Sequence, residues 1–524
     1  MNRERSMREA TTETQPWDVV VIGGGATGLG AAVDAASRGY RTLLVERNDF
    51  AKATSSRSTK LAHGGVRYLQ QGNLALVLEA LKERGRMLRN APHLVRRQSF
   101  VIPAYARWEI PFYGVGLKMY DALSGKSSFG RSVMMGRREV LGALPTVVSD
   151  GLAGGVEYFD GQFDDARYCL ALAQTLESLG GVALNYATMV RLLKANGRIC
   201  GVAVRDEETG EEFQAQARVV INATGIFSDE VRTLDDAKSE PTLSVSQGSH
   251  FVLPKRYLPG TKALMVPKTK DGRVLFAIPW HGEVVVGTTD DGVPKPEMEP
   301  RAMEKETEFL SEHIGIYFGR RPEESEVLSV WSGLRPLVRK QGAKNTAALS
   351  REHTVMVSES GMVSVTGGKW TTYRRMGEDA VNIAAKTAGL AAGPSRTQEL
   401  RLFGWSEVAA RAQDSEHELA VYGSEQSSLD ELARSEAGLG ELVHEALPYR
   451  YAEVVWAVRN EMARTVEDVL ARRTRALFLN ARAAIEAAPG VAAKMAAELG
   501  KDDAWQRAQV EAFGAVAQGY VYHR

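Results

Sequence analysis

The chain has 524 residues, 44% hydrophobic and 25% charged, which is the balance of a globular protein with ample core and excludes a disordered or low-complexity chain. Lys+Arg and Asp+Glu both total 65, so the overall field gives no reason to expect nucleic acid as a partner, and an anionic ligand must be drawn by local clusters. The length allows roughly three domains, and the only cysteines, Cys169 and Cys200, frame neither a disulfide scaffold nor an iron–sulfur site and fit a reducing compartment.

Residues 1–16 are polar and mixed in charge, lack the apolar stretch of a signal peptide and are expected as a disordered extension. No uncharged run is long enough to span a bilayer, though attachment to a membrane surface stays open. The stretch DVVVIGGGATGLGAAVDAASRGYRTLLVE, residues 18–46, then organises the chain. Residues 19–22 are a continuous β-branched run, the pattern of a parallel strand buried on both faces. Gly23, Gly25 and Gly28 follow as G-x-G-x-x-G where strand must turn into helix. Gly23 permits the tight turn, Gly25 lets a pyrophosphate reach the backbone, and Gly28 lets helix and strand pack closely. Residues 26–37 read as the helix, whose free N–H groups and positive dipole end attract phosphate. Residues 41–45 read as the second strand, and Glu46 at its end is placed to hold the ribose hydroxyls of a dinucleotide.

The loop RNDFAKATSSRSTKLAHGGVRYLQ is dense in Ser, Thr, Gly and cations, and a long structureless segment inside a compact domain is usually functional. Thr54, Ser55 and Ser56 offer donors to a pyrophosphate, and His63, Gly64 and Gly65 let the chain pass close to a flat ring. Arg67 and Tyr68 open the next helix, and residues 74–87 are helical in pattern. Residues 107–139 mix Trp108, Phe112, Tyr113, Tyr120 and Phe129 with Arg107, Lys118, Lys126, Arg131, Arg137 and Arg138. Such an amphipathic basic surface suits anionic lipid headgroups, and a solvated helix and loop is the competing reading.

Residues 164–179 read as a helix, 183–193 as a strand and 197–225 as a hairpin ending on a buried strand that runs into Thr224 and Gly225, a second close approach to the nucleotide. Short Pro- and Gly-bounded runs over 242–350 carry the signature of an antiparallel sheet, with a helix at 301–312. A strand at 362–365, the Gly367–Gly368 turn, Lys369 and a helix from Thr371 repeat the arrangement of a helix N-terminus fed by glycines. From about residue 405 the chain is helical in pattern, most clearly in VVWAVRNEMARTVEDVLARRTRALFL, and carries no catalytic motif of its own.

The stretches VVVIGGGATGLGAA, TSSRSTKLAHGGVRYL, INATG, QGSHFVLP, IPWHGEVVVGTTD, WSGLRPL, LSREH, VTGGKWTTYR and EMARTVEDVLARRTRALFL resemble, in order and over nearly the whole chain from Trp17, the FAD-dependent glycerol-3-phosphate dehydrogenases of bacteria. The resemblance implies an α/β fold with an FAD-binding Rossmann-like domain of the D-amino-acid-oxidase kind, an antiparallel-sheet substrate domain and an all-helical C-terminal cap. The implied boundaries are 17–241 for the first part of the FAD-binding domain, with a membrane-facing insert at 107–139, then 242–350 for the substrate domain, 351–395 for the return segment and 400–524 for the cap. It further implies non-covalent FAD, oxidation of sn-glycerol 3-phosphate to dihydroxyacetone phosphate and a membrane quinone as acceptor. The location that goes with this is cytoplasmic, with peripheral attachment to the inner leaflet of the cytoplasmic membrane. A homodimer is among the oligomeric states left open.

A phosphate dianion leaving water needs several charge-assisted donors. The resemblance places Arg67, Arg351 and Lys369 at the phosphate with Tyr68 as a neutral donor, and His250 and Arg335 near the reacting hydroxyl. It also assigns Lys60, Leu61 and Thr372 to the cofactor. His250 has the natural pKa of a general base, while Arg335 could instead stabilise a developing alkoxide. Lys369 and the N–H groups before the helix at Thr371 would face negative charge on the reduced flavin. The competing readings are a glycerol-phosphate oxidase using oxygen, an amino-acid oxidase of the same fold, a NAD-dependent dehydrogenase and a non-catalytic FAD protein. An amino-acid oxidase needs fewer cations than this set, and the oxygen-using relatives carry a longer insertion.

Overall fold

The computed structural model describes residues 1–66, 73–269, 272–339, 352–391, 393–411 and 418–523. Its organising layer is an eight-stranded sheet with a parallel centre. Trp17–Ile22 runs between Thr42–Val45 and Glu212–Asn222, in register Ile22↔Val45 and Ile22↔Asn222, and Val182–Leu184 and Val363–Gly367 extend the parallel set on either side. His353–Val357 closes one edge antiparallel.

The β-branched run of the first strand is buried on both faces because different layers cover its alternate side chains. Val19 and Val21 pack with Leu29, Ala32, Leu172 and Ala380 beneath the helices Ala26–Ser37, Asp165–Ser178 and Tyr373–Ala388. Val20 and Ile22 pack with Leu43, Val202 and Val204 beneath the hairpin Ala187–Ala195 and Arg198–Asp206. The strand expected over 183–193 is two strands, broken where Tyr186 takes φ 52. Residues 1–16, expected as a disordered extension, contain the helix Arg3–Thr12, capped by Asn2. Arg3 anchors it by donating to Asp206 at 2.5 Å and to the Asn185 and Tyr186 carbonyls.

The second layer is a ten-stranded sheet built around Leu243–Leu253, which pairs antiparallel with Ser329–Val338, Glu283–Gly287 and Asp291–Val293. Its other half corrects the expected boundary at residue 242. Leu61–Ala62, Val95–Ala104, Val133–Gly136 and Gly154–Phe163 all belong to it, joined through parallel pairing of Ala263–Val266 with Val95–Ala104. Pairing partners this far apart leave no hairpin spacing in the sequence, so the antiparallel signature showed only the later half.

The C-terminal helices Tyr451–Glu461, Ala481–Leu499 and Asp503–Ala517 pack on the back of the second sheet, where Val469, Leu477 and Val491 share a core with Val252, Trp280, Val285 and Trp331. The most helical stretch of the sequence is interrupted. Met462 and Arg475 are left-handed at φ 54 and 67, and a π-turn, Asp468–Arg473, lies between them. The interruption turns the arginines of that stretch inward, toward carboxylates of the first layer.

Gly28 fulfils the close-packing role read from its motif position, since a Cβ there would lie 1.9 Å from the Gly23 carbonyl oxygen. Gly28→Ala must displace the glycine turn, and we expect it to lower the unfolding free energy by about 1–3 kcal/mol. Urea unfolding followed by tryptophan fluorescence reads this, and an unchanged midpoint would contradict the packing.

Candidate functional site

The strands Trp17–Ile22, Thr42–Val45, Glu212–Asn222 and Val363–Gly367 all end on the same side of the first sheet, where the chain passes into Gly23, Glu46, Thr224 and Gly368. A cavity of about 680 Å³ opens there and runs on to the second sheet. Crevices at the carboxyl ends of parallel strands are where open α/β sheets hold ligands.

At the first end, Gly23 and Gly25 line the cavity and Glu46 closes it. Glu46 accepts from Gly24 N–H at 2.6 Å and Asn48 N–H at 2.8 Å. Burial pushes its carboxyl upward, and those donors oppose the shift. Ser55 Oγ accepts from Ala26 N–H at 2.9 Å, so one of the free donors at the helix start is satisfied within the protein. A Cβ on Gly25 would come 2.9 Å from that same Ser55 oxygen, leaving the backbone exposed only because the residue is glycine. This cradle fits a dinucleotide: glycine N–H groups for the pyrophosphate, a carboxylate for the ribose and a channel leading toward a second glycine turn. Thr54, Leu61, His63, Thr224 and Gly225 also line it.

At the second turn, Gly367 and Gly368 take φ 76 and 79 and lead through Lys369 into Trp370–Thr372 and the helix Tyr373–Ala388. Gly367, Gly368, Lys369 and Thr371 line the cavity. Trp370 Nε1 donates to the Ser55 carbonyl at 2.9 Å, so the two glycine turns are tied together.

The opposite wall comes from the second sheet. His250 and Arg335 both line it, on adjacent strands in which His250 pairs with Trp331 and Arg335 with Ser246. Burial, then Arg335, then Lys60 hold the His250 imidazole well below its ordinary pKa. Its ring stacks on Trp331 with centroids 4.0 Å apart, and Nε2 lies 2.9 Å from Thr59 Oγ1. Nδ1 is buried and finds no partner among the described residues. Arg335 donates to Thr288 Oγ1 at 2.9 Å and the Thr289 carbonyl at 3.2 Å, with Asp290 at 3.3 Å. Phe100, Tyr158, Met265 and Phe276 supply an apolar flank.

Other expected site residues stand elsewhere. Gly28 lies beneath the turn, and Gly64 N–H donates to Asp160 at 3.2 Å. Thr372 Oγ1 donates to the Lys369 carbonyl, a bond that shapes the turn rather than the cavity wall. Ser56 is buried and off the cavity wall, and its carbonyl accepts from Lys60 Nζ at 2.6 Å. Lys60, expected at the cofactor, turns its amine away from the cavity wall and into the protein, 2.9 Å from both oxygens of Asp165. Burial and Arg475 pull that amine down to about 7 against the attraction of Asp165. Arg67, Tyr68 and Arg351 lie outside the described residues. Among these, no group of His, Cys, Asp and Glu could hold a metal ion.

Sequence reasoning missed Thr59, Thr288 and the buried arginines. Thr288 stands in the quoted GTTD stretch, where its strand-end position was the available signal. The arginines of LARRTRALF sit in an otherwise apolar run, which itself demands buried carboxylate partners.

Comparison with known proteins adds the following. The family described as FAD dependent oxidoreductase matches residues 18–374, and the C-terminal domain of alpha-glycerophosphate oxidase matches residues 366–506. The human mitochondrial glycerol-3-phosphate dehydrogenase is 40% identical over 559 residues, covering 100% of this chain and 76% of that protein. The mitochondrial enzyme of Arabidopsis thaliana is 39% identical over 542 residues, covering 96% and 86%. The structure of glycerol-3-phosphate dehydrogenase from Bacillus halodurans complexed with FAD superposes with a TM-score of 0.80 at 28% identity, covering 99% and 98%. An L-alpha-glycerophosphate oxidase from Mycoplasma pneumoniae, at 18% identity, TM-score 0.56 and coverage of 71% and 95%, shares the fold.

The buried neutral state of His250 is directly measurable. Unfolded, an imidazole takes its proton near pH 6.5, whereas here it does so only well below that. The residue's contribution to stability is therefore full above the unfolded pKa and is lost as the pH falls beneath it. We expect the His250 ring signals in selectively labelled protein to stay at neutral-imidazole shifts from pH 8 down to about pH 6. An ordinary midpoint near pH 6.5 would refute the burial.

Proposed function

The chain belongs to the FAD-dependent glycerol-3-phosphate dehydrogenases, and from that premise we propose that it converts sn-glycerol 3-phosphate to dihydroxyacetone phosphate between the two sheets and passes the electrons to a quinone. The observation that carries this reading is that His250 and Arg335 of one sheet and Lys369 of the other line one cavity, beyond a glycine cradle built for a dinucleotide. FAD, when bound, supplies the hydride acceptor at N5.

The chain's own residues have distinct tasks. Gly23, Gly25 and the start of the helix Ala26–Ser37 would hold the pyrophosphate and Glu46 the ribose, and Thr54, Ser55, His63, Thr224 and Gly225 shape the channel. Gly367, Gly368, Lys369 and the N–H groups entering the helix Tyr373–Ala388 place positive charge where the reduced cofactor is negative. Arg67, Tyr68 and Arg351, with Lys369, grip the phosphate dianion. His250, neutral because it is buried beside Arg335 and Lys60, takes the proton of the C2 hydroxyl. A base this weak does not form the alkoxide in advance. The same Arg335 charge that depresses His250 stabilises negative charge on the substrate oxygen as the C–H bond breaks, so the two residues act in one step.

A lipid surface supplies the quinone. Trp108, Phe112, Val115 and Met119, at i, i+4, i+7 and i+11, form one outward stripe on and just before the helix Glu109–Ser124, and each is at least half exposed. Val133 and Met134 continue the patch, with Met134 against Gly114. Arg107, Lys118, Arg131, Arg137 and Arg138 are exposed around it. An apolar face ringed by cations suits anionic headgroups on the cytoplasmic side of a membrane. Among the described residues no helix is long and apolar enough to cross one.

Anaerobic addition of sn-glycerol 3-phosphate is expected to bleach the flavin band near ~450 nm, and glycerol is not. Bleaching by glycerol, or none by the phosphate ester, would overturn the substrate assignment, and rapid re-oxidation by air would favour an oxidase. Lys369→Ala is expected to lower the flavin midpoint potential and slow its reduction, and an unchanged potential removes that role. Replacing Trp108 and Phe112 together by Ser is expected to weaken binding to anionic vesicles at least about tenfold. Equal binding would place the lipid contact elsewhere.

A further inference from the structure

Among the described residues, two buried cations outside the cavity wall share one buried carboxylate, and one of them comes from the C-terminal domain. Arg475 Nη2 donates to Asp165 Oδ1 and to the Ser56 carbonyl, each at 3.0 Å, and Lys60 Nζ reaches both oxygens of Asp165. Arg475, Lys60 and Asp165 are each at most 1% exposed, and the Arg475 guanidinium lies 4.6 Å from the Phe478 ring centroid. Both cationic residues hold left-handed backbone, Lys60 at φ 62 and Arg475 at φ 67. Long side chains rarely adopt that conformation, and its persistence at both ends of one ionic cluster marks a constraint held by the surroundings.

The cluster leads to the cavity wall. Asp165 Oδ2 accepts from Ser58 N–H at 3.0 Å and from Ser58 Oγ at 2.7 Å. The next residue is Thr59, whose Oγ1 lies 2.9 Å from His250 Nε2. That contact settles which imidazole nitrogen is engaged by the protein, while Nδ1 is left without a partner among the described residues. A shift of Ser58 changes where Thr59 meets the ring, and about 1 Å of misplacement is enough to cost about 100-fold in rate.

We propose that Arg475 is a positioning residue of the reaction: through Asp165 and Ser58 it fixes Thr59 against His250, so the C-terminal domain completes the catalytic wall without touching the substrate. The inference rests on the reading of His250 as the proton acceptor. It gives the LARRTR stretch a part in the reaction, and it predicts that loss of the arginine acts on the rate of flavin reduction rather than on substrate affinity.

The test is a double-mutant cycle on the FAD-loaded full chain, reading flavin reduction at saturating sn-glycerol 3-phosphate in stopped flow. Arg475→Gln and Thr59→Val are each expected to slow reduction at least about tenfold, with the half-saturating concentration within about twofold of the parent and full FAD content. The double variant should be no slower than the slower single one, and Arg475→Lys should recover part of the rate. Multiplying effects, or an unchanged rate in Arg475→Gln, would overturn the proposal. Should Arg475→Gln not yield FAD-loaded protein, Ser58→Ala removes the Oγ link to Asp165 and no charge, and carries the same cycle with the same two outcomes. His250→Asn is the control. If it reduces at the parent rate, the proton-acceptor reading fails and this inference with it. If it is slow while the cycle multiplies, only this inference fails.

Discussion

The structure depends on burying aspartates of the first layer against arginines of the last. Asp49 lies just beyond the second strand, and its carboxylate accepts from Arg472 Nε at 2.5 Å and from Arg473 Nη1. Burial alone would raise its pKa, yet the two arginines hold it below the ordinary carboxylate range. From Asp49 the chain runs through Phe50 to Ala51, whose N–H donates to the Gly24 carbonyl at 3.0 Å. The segment that covers the glycine turn is therefore pinned from the C-terminal domain. Asp165 meets Arg475 in the same way, and Arg167 makes a bidentate pair with Glu461 at 2.7 Å. Such pairs add little over well-packed apolar groups, but losing one partner costs about 3–5 kcal/mol because a buried charge is left alone. Domains joined this way separate only at high cost, so the cap braces from behind the segments that wall the cavity.

This constraint explains the division of labour. The parallel sheet brings four strand ends to one side of the cavity. The second sheet carries the groups proposed to act on the substrate, and it is held in place from behind by the C-terminal core around Trp280, Trp331 and Phe478. His250 stacks on Trp331, which packs edge to face on Phe478 of the same segment that carries Arg475. The cavity therefore sits between two layers, with a third packed behind the second.

The cofactor end was legible in the sequence because its signals are local. Gly23, Gly25, Gly28 and Glu46 fall within one strand–helix–strand unit, and the structure sets Gly23, Gly25 and Glu46 on the cavity and Gly28 beneath its turn. Gly367 to Thr371 could be read for the same reason. The opposite wall of the cavity could be read only through resemblance: His250 and Arg335 are far apart in sequence, and pairing of Leu243–Leu253 with Ser329–Val338 brings them together. Lys60 was misplaced because its motif position lies in the cofactor loop, while its left-handed backbone and the carboxylate of Asp165 send the amine inward. The N-terminal segment looked like a floppy tail because its anchor, Arg3 on Asp206, joins residues with no local pattern between them. The helical run through LARRTR hid its breaks at Met462 and Arg475, since neither is a glycine or proline. What could not be read was contact between distant segments, strand pairing for His250 and Arg335 and ion pairs for Lys60 and Arg3.

The claim that the C-terminal arginines hold the cofactor segment is tested most directly by Asp49→Asn, which removes the charge shared by Arg472 and Arg473 and little volume. The measurement is the FAD dissociation constant alongside the urea unfolding midpoint. The account predicts FAD bound at least about tenfold more weakly and stability lowered by about 3–5 kcal/mol, with both changes in the same variant. Parent-like FAD affinity together with a parent-like unfolding midpoint would contradict it.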